Sequence, residues 1–523
     1  MFKKNLKPYQ TEAVADMVAR KKMLVAYEMG LGKTCMTIAA LEELGCKDVL
    51  VIALSSLKYQ WKKEVEKFSD STAIVVDGSK QKRQEQYEEG WADHKYTITN
   101  YESVVNDWDE IKQYEWDAIV CDEATAIKGF KSKRSRKVKE LSRNVPVRFA
   151  LTGTPIENGR PEELYSIMQF VDGNVLGRFD LFDQTFIVRN HFGGVQRYRN
   201  LPLFHEKMKK VSVRKRQIDP DVAPYLPDTI HLDPQIISLN KYNQELYDTI
   251  AKELQRDLMD AQDLFGTGFS LEAHYGQGFQ PGSPADEMRG RIMSKITSLR
   301  MLCDHPDLLR SSASKAQEGN GEGSEYALSL LEEGRLDKAT KSPKLDAVVE
   351  YIADHLDTDE DAKVVLFTTY VGMLPVLQSC LTKKKIGSTL YSGLLNSKQK
   401  EESKVLFQTS KEIRVLLSSD AGGYGVDLPQ ANLLINYDLP WSSGTAMQRN
   451  SRIRRASSTW KSVVIQDFLI AGSIEERQYQ MLQQKNAVAD AVMDGTGINS
   501  KGGVDLTVGS LLKFLQGGNN GKS

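Results

Sequence analysis

The fold is decided by one stretch of the chain, Met23-Leu-Val-Ala-Tyr-Glu-Met-Gly30-Leu-Gly32-Lys33-Thr34. Its apolar beginning, Met23–Tyr27, predicts a buried strand, and the residues from Lys33 to Leu44 predict a helix. Similar apolar runs, separated by helical stretches, occur at Val49–Leu54, Ala73–Val76, Tyr96–Thr99, Ala118–Cys121 and Arg148–Leu151. Strands that alternate with helices indicate a parallel sheet that is covered on both faces.

The C-terminal part of the chain repeats this pattern. Its predicted strands are Val364–Phe367, Ser388–Tyr391, Ile413–Leu417, Leu433–Asn436 and Ser462–Phe468. The region between the two parts is helical in places, and the stretches Gly266–Pro284 and Ser311–Ser324 predict loops because they are rich in glycine and small polar residues. The predicted fold class is α/β, with two doubly wound parallel-sheet lobes and helical insertions between and within them.

The glycine loop after the first strand is the first candidate for a nucleotide site. Gly30 and Gly32 let backbone N–H groups face a phosphate, and the start of the following helix favours negative charge. We expect Lys33 to reach the β- and γ-phosphates of ATP and the Thr34 hydroxyl to bind Mg²⁺. Tyr27 stands where the full phosphate-loop pattern has a glycine. The alternative is a glycine-rich turn that precedes a lysine.

An acidic pair, Asp122 and Glu123, follows the predicted strand Ala118–Cys121. Ligands of doubly wound sheets bind at the carboxyl ends of the strands, where this pair is expected to lie. We expect Asp122 to hold Mg²⁺ through water, and Glu123 to orient and deprotonate the attacking water. The alternative is an acidic pair on the surface.

The second lobe contributes an arginine row. Gln448, Arg452 and Arg455 are spaced four and three apart, which predicts that they share one helix face. Arg452 and Arg455 are expected to act as arginine fingers toward the γ-phosphate, and Gln448 is expected to be among the nucleotide-binding residues. The alternative is that the row binds DNA phosphates. Upstream, the glycine-rich segment that contains Gly425 and Asp427 follows a strand and allows close approach of backbone to phosphate.

Composition and cysteine spacing argue against a disulfide-rich secreted protein and against a membrane protein. The chain has 523 residues, a net charge of −1 and five cysteines without paired spacing, which argues against a disulfide framework. No segment has the pattern of a signal peptide or a membrane span. We expect a soluble intracellular protein without a membrane partner, cytoplasmic in a prokaryote or virus and nuclear in a eukaryote. Cys303 and His305 lack a second pair of zinc ligands, so they are interpreted as structural.

Taken in order, the motifs resemble the Swi/Snf family of ATP-dependent DNA translocases in helicase superfamily two, and the small core-only members above all. The matching segments are Leu6–Gln10, Glu28–Thr34, Leu57–Glu64, Ile98–Glu102, Asp122–Lys128, Leu151–Asn158, Leu299–Pro306, Val364–Thr369, Ala421–Gly425, Gln448–Arg455 and Gly472–Glu476. The resemblance implies RecA-like lobes, a bound Mg²⁺·ATP with Gln10 at the adenine, and double-stranded DNA as a partner. It further implies backbone contacts to DNA, independent of base sequence, at Trp61, Thr99, Thr368, Ser418 and Gly422.

The resemblance also suggests domain bounds. An N-terminal ATPase lobe is expected at 1–225, with a helical protrusion at about 171–215. A C-terminal helicase lobe is expected at 226–478, with an insertion at about 236–343. A closing helix and a flexible tail follow at 479–523.

Four departures from the family pattern are present. Thr125 stands in place of a histidine that helps to couple hydrolysis to DNA, and Tyr27 stands in place of an aspartate. Asp427 stands in place of an asparagine, and Ala456-Ser457 in place of a glycine-glutamine pair. The predicted activity is DNA-dependent ATP hydrolysis that drives movement along duplex DNA and remodels protein–DNA complexes, with a polymerase or another DNA-bound protein as a possible partner. The alternatives are a strand-separating or RNA-directed helicase, and an ATP-gated scaffold that binds DNA or a polymerase with weak turnover.

Overall fold

The computed structural model describes residues 2–189, 195–271, 282–319, 322–420, 426–495 and 507–517. Two compact units are present. The N-terminal unit comprises Met1–Val188, Tyr198–Leu226 and Lys485–Lys501, and the C-terminal unit comprises Arg189–Arg197, Pro227–Gln484 and Gly502–Ser523. The domain bounds expected from the sequence stay a prediction beside this division.

The N-terminal unit is built on a seven-stranded sheet of order β3-β4-β2-β5-β6-β1-β9. Its strands are β1 (Lys22–Tyr27), β2 (Val49–Ala53), β3 (Ala73–Val75), β4 (Tyr96–Asn100), β5 (Ala118–Asp122), β6 (Val147–Leu151) and β9 (Ser212–Lys215). Every pairing in this sheet is parallel. The strands β2, β5 and β6 are buried along their whole length, as expected when helices cover both faces.

Helices connect these strands. They are Pro8–Arg20, Lys33–Glu43, Lys58–Phe68, Lys80–Asp93, Tyr101–Asn106, Trp108–Ile111, Lys133–Leu141, Pro161–Asp172, Phe179–Phe186 and Leu201–Lys209, with short 3-10 turns at Ser55–Leu57, Ala124–Ile127 and Ala223–Tyr225. A capping side chain marks the start of the helix Lys80–Asp93. The Ser79 side chain accepts a hydrogen bond from the backbone N–H of Lys82, which is how a serine caps a helix start.

The C-terminal unit contains a second parallel sheet, of order β10-β16-β15-β12-β14-β13, with β11 also paired to β16. Its strands are β10 (Asp228–His231), β11 (Gln235–Ile237), β12 (Val364–Thr368), β13 (Gly387–Tyr391), β14 (Ile413–Ser419), β15 (Leu433–Asn436) and β16 (Ser462–Ile470). Its helices outside the insertion are Pro343–Thr358, Met373–Lys383, Ser397–Thr409, Ser443–Asn450, Val508–Gly517 and the part of Ile474–Asp494 up to Gln484. A separate two-stranded sheet pairs β7 (Ile187–Arg189) with β8 (Val195–Tyr198).

A helical insertion separates β11 from β12. Its helices are Lys241–Phe265, Pro284–Asp304, Pro306–Gln317 and Glu325–Glu332. The two long helices bury apolar side chains against each other, among them Leu254, Leu258, Ile292 and Ile296. The same apolar core includes Ile470 at the end of β16, so the insertion packs on the rest of the C-terminal unit.

A buried ion cluster ties this insertion to the second sheet. The Lys344 Nζ lies 2.9 Å from Asp304 Oδ1 and 2.6 Å from Glu475 Oε1, and all three side chains are buried. Burial opposes the charge on Lys344, but the two carboxylates outweigh burial and hold its pKa above the usual value. The cluster joins the last residue of helix Pro284–Asp304 to the starts of helices Pro343–Thr358 and Ile474–Asp494.

The N-terminal unit also includes a segment from late in the chain. Arg214 on β9 donates to Asp490 at 2.8 Å and lies 3.2 Å from Asp494, on the helix Ile474–Asp494. The ring of His205 lies 3.1 Å from the carbonyl oxygen of Val492. Residues 485–495, the described part of this segment, thus belong to the N-terminal unit although they follow the C-terminal sheet in sequence.

The predicted fold class is confirmed. Each predicted strand is present, with ends that differ by a residue or two. The loop predicted over 311–324 is wrong in its first half, because the helix Pro306–Gln317 continues to Gln317. Part of the loop predicted over 266–284 lies outside the described residues. Among the described helices, none combines the length and the apolar character that a bilayer crossing requires.

Candidate nucleotide site

The glycine loop lies between β1 and the helix Lys33–Glu43, as predicted. Gly30 and Gly32 have φ values of 79° and 86°, in the left-handed region. A Cβ built on Gly32 would lie 2.5 Å from the Nε2 of Gln10, so a side chain at this position would displace Gln10 from the loop. The backbone conformation favours glycine here, and the close approach of Gln10 depends on it.

The three polar side chains predicted for this loop lie on or beside it. Lys33 donates from Nζ to the carbonyl oxygens of Tyr27 at 2.8 Å and Glu28 at 3.3 Å. Thr34 is half-buried in the first turn of the helix. Gln10 donates to the carbonyl oxygen of Leu31 at 3.0 Å, and its Oε1 accepts from the backbone N–H of Lys7 at 3.0 Å. Gln10 is therefore bonded to the loop itself.

One further residue holds the loop, and the sequence did not indicate it. The backbone N–H of Gln217 donates to the Glu28 carboxylate at 2.7 Å, and its side-chain amide donates to the Met29 carbonyl oxygen at 2.7 Å. Gln217 follows β9, which pairs in parallel with β1. The sequence gives no sign of this contact because Ser212–Lys215 is not an apolar run, so β9 was not predicted.

The acidic pair lies at the carboxyl end of β5, as predicted. Asp122 is buried and accepts two hydrogen bonds on its carboxylate, from the indole N–H of Trp61 at 2.7 Å and from the backbone N–H of Glu123 at 3.1 Å. Burial raises the pKa of Asp122, while the Trp61 hydrogen bond, the Lys33 charge and the Glu123 N–H act against that increase. Glu123 has a φ of 48°, an uncommon conformation for a residue with a side chain.

The segment Leu151–Pro155 packs on the glycine loop. A Cβ on Gly153 would lie 3.1 Å from the Cγ of Met29 and 3.6 Å from the Nζ of Lys33. The flanking Thr152 and Thr154 are buried, and the backbone N–H of Thr154 donates to the Thr152 hydroxyl at 3.1 Å. These contacts place the segment Leu151–Pro155 directly beside the glycine loop.

The donor set suits Mg²⁺. Asp122 and Thr34 offer oxygen atoms, which are the ligands that this hard cation prefers. Among the described residues, no group of three or more His, Cys, Asp or Glu side chains could hold a metal ion by itself. A cation held by one carboxylate, one hydroxyl, substrate phosphates and water is the usual arrangement for Mg²⁺ in nucleotide sites.

The arginine row of the C-terminal unit differs from the prediction in one respect. The helix Ser443–Asn450 ends before Arg452, so Gln448, Arg452 and Arg455 do not share one helix face. The chain turns after Ser451, which caps the helix end. All three predicted side chains are nevertheless buried within this unit.

Two contacts hold the predicted arginines. The Nε of Arg455 donates to the Asp427 carboxylate at 2.6 Å, and an Arg452 guanidinium N–H donates to the Val426 carbonyl oxygen at 3.4 Å. The Asp427 side chain is about half exposed. Gly425 and Gly422 lie outside the described residues.

Sequence reasoning missed a third arginine in the row. Arg449 is buried, and its guanidinium donates to the Asp420 carboxylate at 2.5 and 3.0 Å and to the Asp438 carbonyl oxygen at 2.6 Å. The Asp438 carboxylate in turn accepts from the backbone N–H of Thr369 at 2.8 Å. Arg449 thus links the ends of β12, β14 and β15, which no spacing in the sequence indicated.

The described residues predicted to contact DNA have buried side chains. Trp61 bonds to Asp122, Thr99 shares a 2.7 Å hydrogen bond with Tyr87, and Thr368 donates to Asp438. Ser418 donates to the Ser419 carbonyl oxygen at 3.1 Å. DNA contact at these positions stays a prediction, and it would involve backbone atoms or neighbouring residues rather than these side chains.

The cysteine and histidine near the insertion have structural surroundings. Cys303 is buried in the core of the insertion. His305 is the N-cap of the helix Pro306–Gln317, and its Nδ1 accepts from the backbone N–H of Asp307 at 3.1 Å. Thr125, which departs from the family pattern, lies in the 3-10 turn Ala124–Ile127 beside the acidic pair.

Two parallel-sheet units, one with a glycine loop between strand and helix and an acidic strand end, are typical of helicase-type nucleotide-binding proteins. The SNF2-related domain matches residues 9–308, and the helicase conserved C-terminal domain matches residues 343–457. The chain therefore belongs to the SNF2-related family, and the resemblance noted in the sequence is confirmed.

Individual relatives agree with this assignment. The chain is 27% identical to the chicken DNA repair and recombination protein RAD54B, over 94% of this chain and 54% of that protein. It is 26% identical to the Arabidopsis thaliana ATP-dependent DNA helicase DDM1, over 92% of this chain and 62% of that protein. It thus spans only about half to two thirds of these relatives. The helicase domain of Pyrococcus furiosus Hef shares the fold, with 17% identity, a TM-score of 0.53, and coverage of 91% of this chain and 97% of that one.

Proposed function

We propose that this chain hydrolyses ATP and couples hydrolysis to movement along double-stranded DNA, without obligatory strand separation. The main support is that three segments lie together at the carboxyl ends of central strands in the N-terminal sheet. The glycine loop, Leu151–Pro155 and the acidic pair follow β1, β6 and β5, which are neighbours in that sheet. Carboxyl ends of adjacent parallel strands are where such folds bind nucleotides.

In the proposed reaction, each group has one role. Lys33 binds the β- and γ-phosphates, and Glu123 orients the attacking water and accepts its proton. Asp122 and Thr34 hold Mg²⁺, which neutralises charge on the phosphates when it is bound. The arginines of the C-terminal unit, Arg452 and Arg455, stabilise the charge that develops at the γ-phosphate when the two units close on ATP.

The proposed partner is the phosphate backbone of duplex DNA. The protein has a net charge of −1, so binding depends on local basic segments rather than on overall charge. Contact with the backbone predicts affinity that is independent of base sequence and falls steeply as salt is raised. The named relatives, a DNA repair protein and a DNA helicase, support DNA as the partner. Action on a DNA-bound protein such as a polymerase is a further part of the proposal.

The test is ATP hydrolysis measured with duplex, single-stranded, forked and RNA activators. We expect duplex DNA to give the largest stimulation, and Lys33→Ala or Glu123→Gln to abolish turnover. Equal stimulation by RNA or single strands, together with fork unwinding, would favour a strand-separating or RNA-directed helicase. Negligible hydrolysis with retained ATP-dependent DNA binding would favour a scaffold.

A further inference from the structure

Asp122 is held in place by a tryptophan from another element. Trp61 lies on the helix Lys58–Phe68, and its indole N–H donates to Asp122 Oδ2 at 2.7 Å. The side chain of Trp61 is 2% exposed, and Asp122 is 8% exposed. A hydrogen bond to a charged acceptor at this depth is stronger than one between neutral groups, because water does not compete for it.

A second aromatic residue holds the backbone of the same aspartate. The hydroxyl of Tyr101, at the start of the helix Tyr101–Asn106, donates to the Asp122 carbonyl oxygen at 2.7 Å. Tyr101 is fully buried. The two helices follow β2 and β4, which lie on the same side of β5 in the sheet order β4-β2-β5, so the topology brings both donors to the end of β5.

The two hydrogen bonds restrict different parts of Asp122. Tyr101 restricts the peptide unit, whereas Trp61 restricts rotation of the carboxylate. Each carboxylate oxygen has more than one lone pair, so the oxygens that accept from Trp61 and from the Glu123 N–H can still bind a cation or its water.

We propose that Trp61 is a positioning residue for the Mg²⁺-binding carboxylate of Asp122, and that it acts through this hydrogen bond rather than by contact with DNA. The inference rests on the proposed function, since that function assigns Asp122 to Mg²⁺. Outer partners of metal ligands typically change metal affinity by about 10- to 100-fold when they are removed. The expected defect of a Trp61 variant is therefore in Mg²⁺-dependent nucleotide binding.

The test compares Trp61→Phe with Trp116→Phe. Trp116 is also buried in the N-terminal unit, but its indole N–H donates to the Ile111 carbonyl oxygen at 3.3 Å. Affinity for a fluorescent ADP is measured with Mg²⁺ and with EDTA, and duplex DNA affinity and thermal unfolding are measured in parallel. We expect Trp61→Phe to reduce the gain in affinity from Mg²⁺ by about tenfold. Its affinity in EDTA and its DNA affinity should be unchanged, and Trp116→Phe should behave as wild type.

Two results would overturn the inference. One is an unchanged Mg²⁺ dependence of Trp61→Phe. The other is a loss of DNA affinity with normal Mg²⁺ dependence, which would return Trp61 to the DNA interface. If Trp61→Phe does not fold, benzothienylalanine at position 61 removes the N–H while the shape of the ring system is kept, and the same outcomes apply.

Asp122→Asn separates this inference from the proposed function. If Asp122→Asn keeps the full Mg²⁺ effect, the assignment of Asp122 to the metal fails, and with it this part of the proposed function. If Asp122→Asn loses the effect while the Trp61 variant keeps it, only the role of Trp61 fails.

Discussion

Gly32 shows how a single residue without a side chain shapes the nucleotide loop. Its φ is 86°, and a Cβ there would lie 2.5 Å from the Gln10 amide. We expect Gly32→Ala to lower nucleotide affinity at least tenfold, because Gln10 would leave the loop and the backbone N–H groups would turn away from the phosphate. Titration with a fluorescent ADP measures the change.

Gly45→Ala is the matched control for Gly32→Ala. Gly45 also has a positive φ, of 67°, but nothing lies within 4 Å of a Cβ built there. Both variants should lose about 1–2 kcal/mol of unfolding free energy from backbone strain. Only Gly32→Ala should lose nucleotide affinity, and an equal loss in Gly45→Ala would contradict the steric explanation.

Lys139 makes the stability of the N-terminal unit depend on pH. Its Nζ lies 4.7 Å from the centre of the Phe130 ring, and burial lowers its pKa from 10.5 to about 8. Between these two values the unfolded chain binds more protons than the folded one, so the free energy of unfolding increases as pH rises through this window. At neutral pH the folded protein carries the full cost of the buried charge.

We expect Lys139→Met to be more stable than the wild type at pH 7. The difference should shrink between pH 8 and pH 10.5 as the wild-type lysine loses its proton. Urea unfolding across this pH range measures it. Lys112→Met, at a lysine whose side chain is 48% exposed, is the control and should show no such trend. A constant difference at all pH values would mean that packing rather than charge explains the effect.

At the scale of elements, the buried ion cluster of Lys344, Asp304 and Glu475 connects three helices of the C-terminal unit. We expect Lys344→Met to reduce the free energy of unfolding of this unit by about 3–5 kcal/mol, because two buried carboxylates would lose their partner. Chemical denaturation measures the change. Lys384→Met, which removes an exposed ion pair with Glu350, should leave stability nearly unchanged.

The triple replacement of Lys344 by Met, Asp304 by Leu and Glu475 by Leu provides a second comparison. Buried ion pairs that are replaced as a set by apolar residues of similar size are often neutral or stabilising. A triple variant as unstable as Lys344→Met would show that shape, not the unpaired charge, determines the loss.

Most strands could be predicted because they are continuous apolar runs, as strands covered on both faces require. The strands β9 and β10 could not, since Ser212–Lys215 and Asp228–His231 carry charged or polar residues. Both lie at sheet edges, where one side is not covered and backbone pairing does not require apolar side chains. Missing β9 meant missing Gln217, which follows it.

The site was predicted where chemistry is local in sequence and not where it depends on tertiary contacts. The left-handed Gly30 and Gly32 and the acidic strand end follow from short motifs. The Trp61 indole reaches Asp122 across 61 positions of sequence, and Arg449 reaches Asp420 across 29. The spacing of apolar and polar residues along the sequence does not indicate which distant side chains will contact each other. Similarly, spacing placed Arg452 and Arg455 on the helix of Gln448, because nothing in the spacing shows that the helix ends at Asn450.

At the scale of the whole molecule, the proposed reaction uses residues of one unit to bind ATP and an arginine of the other unit to accelerate its hydrolysis. The N-terminal unit contains the residues proposed to bind ATP, and the C-terminal unit contains Arg455. We expect Arg455→Ala to lower DNA-stimulated turnover by about 10³-fold or more while nucleotide affinity stays nearly unchanged. Turnover and fluorescent ADP binding, measured on the same preparation, test this.

Arg455→Lys is the control for Arg455→Ala. It keeps the positive charge but not the planar fork, so partial recovery of turnover is expected. Normal turnover in Arg455→Ala would remove this arginine from the proposed mechanism. A parallel loss of nucleotide affinity would point to misfolding around Asp427, which is its ion-pair partner.

The inclusion of residues 485–501 in the N-terminal unit has a consequence for biosynthesis. A ribosome makes the chain from its N-terminus, and domains usually fold in that order as they emerge. Here the partners of Arg214 and His205 lie 276 and 287 positions later in the sequence. The earlier lobe therefore stays incompletely assembled until residues 485–495 have left the exit tunnel, and a product that ends before them would be a target for proteases.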